Sequence, residues 1–507
     1  MIRRLVVSVL VRITTVGVTP ASRWRNPPWA TGGRGPVVTV GPRIWLSGGV
    51  AVLLWLLSAI PVAAHGAQAS TSSPAPGSPE YLARDVANMQ AATGRLTAPD
   101  GRLNNPEYQA AYAAAVAAGG HDEDPFRFGS WNGIRGQYRD VNFTDSSNGG
   151  VFAGRIYAPL AGATHPDSGR KLSAPFPGIV IVPGSGGKAV ATAWAAEDLA
   201  ERGYVVLTFG VGSGAGGPRY YGAAQDAIDF FWSTPSSPWA GGATDQFNPY
   251  WTLFDRRPDP RAETPDRPSR FGLIGNSLGA AVASPLANID ERVSVLVALD
   301  KLFKSVAYLP IAATDEKWDP EVPALAVHSE YFNPPTPYTV GCWGVLGCEV
   351  YSPTEGPPPG RELSTGYGGD DGWGIVGPQP GGWYASGVDI MALTLRASTH
   401  WEYADDHMPA SRYGKAVTSY YTTAWLDKYL KHDRSADQRL AATSFRQLEP
   451  QARGTWGYTP TLVRDENLSF YFCSAWRYHT IRGELVERLD PTGAGCSARP
   501  EQQAGAR

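Results

Sequence analysis

Apolar and polar positions alternate along residues 138–143 and 151–157, the period of a half-buried strand. Ser147-Asn148-Gly149-Gly150 between them predicts a hairpin turn. Further on the rhythm changes. Residues 178–182, 204–209, 271–274, 293–299, 324–327 and 390–395 are apolar runs, broken only by Thr208, Ser294 and Thr394, as in strands buried on both faces of a sheet. Segments of helical composition separate them: 191–202, 221–232, the small-residue stretch after Gly279, and a closing segment over 411–430. In that last segment Val417, Tyr421, Ala424, Trp425, Tyr429 and Leu430 fall on or near one helical face. Strands alternating with helices predict an α/β protein, with a mainly parallel sheet covered by helices on both faces. Helix formers dominate 80–118 and predict an N-terminal helical extension.

The pattern divides the chain into 1–69, 70–136, 137–450 and 451–507. An uncharged apolar run over 47–60 follows Arg43 and leads to Ala67-Gln68-Ala69, a small-x-small cleavage site. We read it as an export signal, with an uncleaved membrane anchor as the alternative. The run is short of the roughly 20 apolar residues of a membrane span. A Pro/Gly/Arg-rich stretch precedes it, which suggests a translation start near residue 40. Residues 70–79 are a Ser/Pro/Ala-rich linker. The expected location is secreted or cell-envelope, and cell-envelope association is a possible partnership. All four cysteines (Cys342, Cys348, Cys473 and Cys496) lie downstream of the signal. An even count in an exported chain predicts disulfides. Three pairings are possible; Cys342–Cys348 with Cys473–Cys496 is the most local. No histidine stands at ligand spacing beside either pair, so neither metal nor cofactor is expected. A hydrophobic fraction of 43% and a charged fraction of 18% are those of a globular protein. A net charge of −3 gives no reason to expect nucleic acid as a partner.

Candidate chemistry centres on Gly275-Asn276-Ser277-Leu278-Gly279, where an apolar run meets a small-residue segment. A chain with 58 glycines meets G-x-S-x-G by chance often enough that the motif alone decides nothing. Its strand–turn–helix setting, however, is that of a nucleophile elbow, with Ser277 on the corner. Serine needs a base within hydrogen-bond reach, itself held by a carboxylate, in the chain order Ser, acid, His. His400 directly follows the last apolar run and is the expected base; His407 is the close competitor. Glu330, just past the 324–327 run, is the favoured acid, and Asp300 at the end of the preceding run is the alternative. The oxyanion donors would be the Leu278 N–H and an amide of the loop Pro183-Gly184-Ser185-Gly186-Gly187, for which Ser185 is the candidate. That loop lacks both G-x-G-x-x-G spacing and a Walker Lys-Ser/Thr, which argues against a nucleotide site.

Over about residues 137–432 the chain resembles secreted actinobacterial α/β-hydrolases of the dienelactone-hydrolase/esterase–lipase type. The matching stretches are 179–187, 275–279, 323–338 with its Ser-Glu-Tyr-Phe, and 398–403. The resemblance implies the α/β-hydrolase fold and acyl transfer from a small-molecule or lipid ester to water. Pro-Gly stands in the oxyanion loop where His-Gly is common, and Glu330 stands where a strand-end Asp is expected. A serine peptidase is the nearest enzyme alternative, since the same triad serves both. An inactive hydrolase-fold binding protein is the other, with Trp239, Trp251, Trp343, Trp373 and Trp383 as contact surface.

Overall fold

The computed structural model describes residues 74–97, 133, 135–212, 217–241, 246–262, 266–303, 319–332, 337, 351–356, 382–405, 410–450, 456–492 and 494. The expected export signal, Cys342, Cys348, Cys496, His407 and most of 333–387 lie outside them. The chain divides into two units, Met1–Ala67 and Gln68–Arg507, and the description below concerns the second.

Helix α1 (Pro79–Thr97) precedes the hairpin β1 (Gly136–Thr144) and β2 (Val151–Pro159). There follow β3 (Gly178–Val182), α2 (Ala193–Glu201), β4 (Val205–Phe209), α3 (Gly217–Trp232), β5 (Phe271–Asn276), α4 (Leu278–Ile289), β6 (Val295–Leu299), β7 (Ala324–Tyr331) and β8 (Ile390–Thr399). Helices α5 (Arg412–Lys431) and α6 (Ser435–Ala441) come next. Four short strands, β9 (Ser444–Phe445), β10 (Leu448–Pro450), β11 (Trp456–Tyr458) and β12 (Leu462–Val463), pair in two small ladders. The hairpin β13 (Ala475–His479) and β14 (Leu485–Leu489) closes the chain.

One ten-stranded mixed sheet runs β1-β2-β4-β3-β5-β6-β7-β8-β13-β14. The pairs from β4 through β8 are parallel, and antiparallel pairs flank them on both sides. The alternation of side chains along each strand sends Val180 and Val182 to one core and Ile179 and Ile181 to the other. Helices α3 and α4 cover the first core, and α2 and α5 the second. The fold is therefore α/β with a mostly parallel sheet. No helix among the described residues is long and apolar enough to cross a membrane.

Two features exceed the apolar pattern. Strands β7 and β8 run on through buried polar residues, His328-Ser329-Glu330 and Ser398-Thr399, which an apolar-run criterion stops short of. The segment after 450 supplies β13 and β14, so β8 is an interior strand of the sheet. Cys473, just before β13, is fully buried and held in a disulfide. The pairing expected for it involves cysteines outside the described residues.

Candidate active site

Ser277 sits on the corner between β5 and α4 with φ 53° and ψ −120°, a conformation that costs a non-glycine residue free energy and aims its side chain off the sheet. Its two flanking glycines let the corner close. A Cβ on Gly275 would lie 2.4 Å from the Gly279 carbonyl oxygen. A Cβ on Gly279 would lie 2.2 Å from the carbonyl oxygen of Val182, in the neighbouring strand β3. The serine amide donates to the Leu299 carbonyl at 2.9 Å, which ties the corner to the end of β6.

That strand end carries a carboxylate. Asp300 follows β6 with φ 45°, and its amide donates to the Val327 carbonyl at 2.8 Å. Its Oδ1 accepts the Ser329 N–H at 3.0 Å, and its Oδ2 accepts the Ser329 hydroxyl at 2.6 Å. The same Oδ2 lies 2.6 Å from His400 Nδ1, and His400 Nε2 lies 2.9 Å from Ser277 Oγ. His400 opens a single 3₁₀ turn, His400–Glu402, whose first residues are held by Thr399 Oγ1 accepting the Trp401 N–H. Phe332 lies 5.1 Å from the imidazole at a tilt of 31°, and Trp401 meets it edge-on at 5.5 Å. Ser277, Asp300 and His400 are 5%, 1% and 7% exposed, so the relay is shielded from water while its serine still reaches the surface. Burial alone would raise the Asp300 carboxyl. The hydrogen bond and charge of His400, with the two donors of Ser329, outweigh burial and hold it below the ordinary carboxylate value.

Glu330, favoured from sequence as the acid, does not touch His400. Its Oε2 accepts the Ala397 N–H at 2.6 Å and a hydrogen bond from the Asn88 amide on α1. The reason is strand parity: Ser329 faces the imidazole side of β7 and bonds to Asp300, so the next residue faces the other way. The carboxylate that meets His400 is the alternative, Asp300.

Leu278 is the first residue of α4, so its N–H has no acceptor within the helix. The 183–187 loop packs directly on the elbow: a Cβ on Gly184 would be 3.3 Å from Ser277 Cβ. Ser185 is exposed at position i+1 of a turn closed by Gly187 N–H to the Gly184 carbonyl at 3.0 Å. Tyr220 braces this turn, accepting the Gly186 N–H at 2.8 Å and donating to the Gly184 carbonyl at 2.9 Å. Sequence reasoning did not find Tyr220, Ser329 or Phe332. Tyr220 belongs to no motif, and the Ser-Glu-Tyr-Phe stretch that contains Ser329 and Phe332 assigns neither a role; each acts through a contact that only the folded chain creates.

A chain compared with protein-family models and with curated proteins can be placed by its relatives; this one matches none of either. Its site therefore stands on geometry alone. Among the described residues no cluster of His, Cys, Asp and Glu could hold a metal ion. A cavity of about 610 Å³ opens at the other end of the sheet, before β3, β4 and β5, among Arg202, Arg270, Asp427, Lys431 and Arg439. Arg202, Arg270, Lys431 and Arg439 are held there in an ion-pair lattice with Asp198, Asp255, Asp259 and Asp427.

Proposed function

We propose that this chain is a serine hydrolase of carboxylic esters with an α/β-hydrolase fold, exported from the cell. The observation that carries the reading is the continuous relay from Ser277 Oγ through His400 to Asp300, on a corner serine with positive φ. Nucleophile on a strand–helix elbow, acid at a later strand end and base after a still later strand follow the chain order of that fold. The disulfide at Cys473 suits an oxidising compartment outside the cytosol.

In the proposed reaction Ser277 Oγ attacks the ester carbonyl carbon while His400 Nε2 takes the hydroxyl proton. Asp300 holds the ring in the tautomer that leaves Nε2 free to accept, and it stabilises the imidazolium that forms. The carbonyl oxygen becomes an oxyanion facing the N–H groups of Leu278 and Ser185. Collapse expels the alcohol, which leaves with the proton from His400, and Ser277 is now acylated. Water then attacks the acyl carbon and gives its proton to His400. That proton returns to Ser277 as the carboxylic acid departs.

A fluorophosphonate probe and p-nitrophenyl esters test the reading together. Wild-type protein should label at Ser277 and release p-nitrophenol. Ser277→Ala and His400→Ala should each remove nearly all turnover, and the double variant should be little worse, because the pair acts as a unit. Retention of more than about a tenth of the activity in Ser277→Ala would overturn the mechanism. A wild type that neither labels nor turns over would favour a binding protein.

A further inference from the structure

Strands β7 and β8 pair in register up to Ser329 opposite Leu395 and resume at Tyr331 opposite Thr399. Arg396, Ala397 and Ser398 therefore bulge opposite the single residue Glu330. Ala397 sits at φ 53°, a conformation a residue with a Cβ keeps only when its surroundings over-determine it. His400 emerges three residues later.

The bulge is held from within and from outside. Its Ala397 N–H is bonded to Glu330 Oε2 at 2.6 Å. Ser398 Oγ accepts the Glu330 N–H at 3.2 Å and donates to the Leu395 carbonyl at 2.6 Å. Ser469 also hydrogen-bonds the Glu330 carboxylate, and helix α1 adds further support. Asn88 Nδ2 donates to the same Glu330 Oε2, and Asn88 Oδ1 accepts from Arg396 Nε at 3.1 Å. Arg95 on the same helix donates to the Arg396 carbonyl. Both Glu330 and Asn88 are buried. On the other side Phe332, two residues beyond Glu330, rests against the imidazole. A shift of the bulge thus has two short routes to the His400 ring, one along β8 and one along β7.

We propose that Glu330 is a positioning residue for His400, and that Asn88 of α1 completes the support, so that the N-terminal helix is part of the catalytic architecture. This rests on the reading of Ser277, His400 and Asp300 as a catalytic relay. Misplacement of a base by a fraction of its hydrogen-bond length slows chemistry without weakening substrate capture.

Full-length Glu330→Ala, Glu330→Gln and Asn88→Ala proteins test it, with p-nitrophenyl butyrate and a fluorophosphonate as probes. Glu330→Ala and Asn88→Ala should lower kcat and the rate of Ser277 labelling about 10–100-fold, with KM within about threefold. Glu330→Gln keeps an amide oxygen for the Ala397 N–H and should restore kcat to within about threefold of wild type. Hydrogen exchange of a peptide spanning 395–403 should quicken in the two alanine variants. A folded Glu330→Ala protein that turns over and labels at the wild-type rate overturns the proposal, and so does Glu330→Gln as impaired as Glu330→Ala. Should Glu330→Ala fail to fold, Asn88→Ala carries the kinetic test. If wild-type protein neither labels nor turns over, it is the catalytic reading that fails; the exchange comparison then judges the tether by itself, and unchanged exchange overturns it.

Discussion

Two carboxylates thirty residues apart each close a parallel strand, and only one can orient His400. Asp300 does so because positive φ turns its side chain back toward the Ser329 hydroxyl and the imidazole. Its amide isostere keeps the packing but imposes the wrong imidazole tautomer. Asp300→Asn should therefore lower kcat by on the order of 10²–10⁴ while the protein still melts cooperatively near the wild-type temperature. An Asp300→Asn protein of undiminished kcat would remove it from the relay. The meeting of Ser277 with His400 was legible in the sequence because a motif and a place in chain order marked them. The carboxylate that meets the imidazole was not, since sequence shows that a carboxylate ends a strand but not which face it takes. The bulge after Leu395 makes that face harder still to count.

At the level of elements, the crossing of the elbow over β3 is the tightest contact near the site. An alanine at 279 would drive its Cβ into the carbonyl oxygens of Val182 and Pro183, and backbone cannot move aside as a flexible side chain would. Gly279→Ala should cost about 2–4 kcal/mol by urea unfolding, with labelling of Ser277 suppressed in the folded fraction. Gly222, within α3, is the control: a Cβ added there would meet nothing within 4 Å, so Gly222→Ala should be neutral or stabilise by about 0.4–1 kcal/mol. The parallel strands and their helices were readable because complete burial leaves nearly continuous apolar runs. The β13–β14 hairpin was not, as β14 is a charged edge, Leu-Val-Glu-Arg-Leu, with a mild alternation of exposure. Helix α1 was visible as a helix, but nothing in its sequence tells that Asn88 reaches β7.

For the molecule as a whole, buried ionisable groups set the response to acid. Burial pushes His328 down to about 4, with Asp300 offsetting this only in part, and neither ring nitrogen has a hydrogen-bond partner among the described residues. A histidine kept neutral in the fold gains a proton on unfolding below its ordinary value, so stability should decline as pH falls from about 6.5 to about 4. Asp259 continues the decline from about 4 to about 2, because Arg270, the Arg261 amide and His432 hold its carboxyl at about 2 against burial. Replacing His328 by Leu should flatten the upper stage by on the order of 2–3 kcal/mol between pH 7 and 4, read from urea midpoints across that range. An unchanged slope would mean that the buried ring is already protonated or hydrated. The place of β13 beside β8 has a consequence for how the chain is made. Every member of the relay has been synthesised by residue 400, yet β8 remains an open edge until 475–477 arrive to pair with it. Unpaired edges recruit strands from other molecules. A chain cut near 450 would thus carry Ser277, Asp300 and His400 on a sheet whose β8 edge is open to pairing with a second molecule.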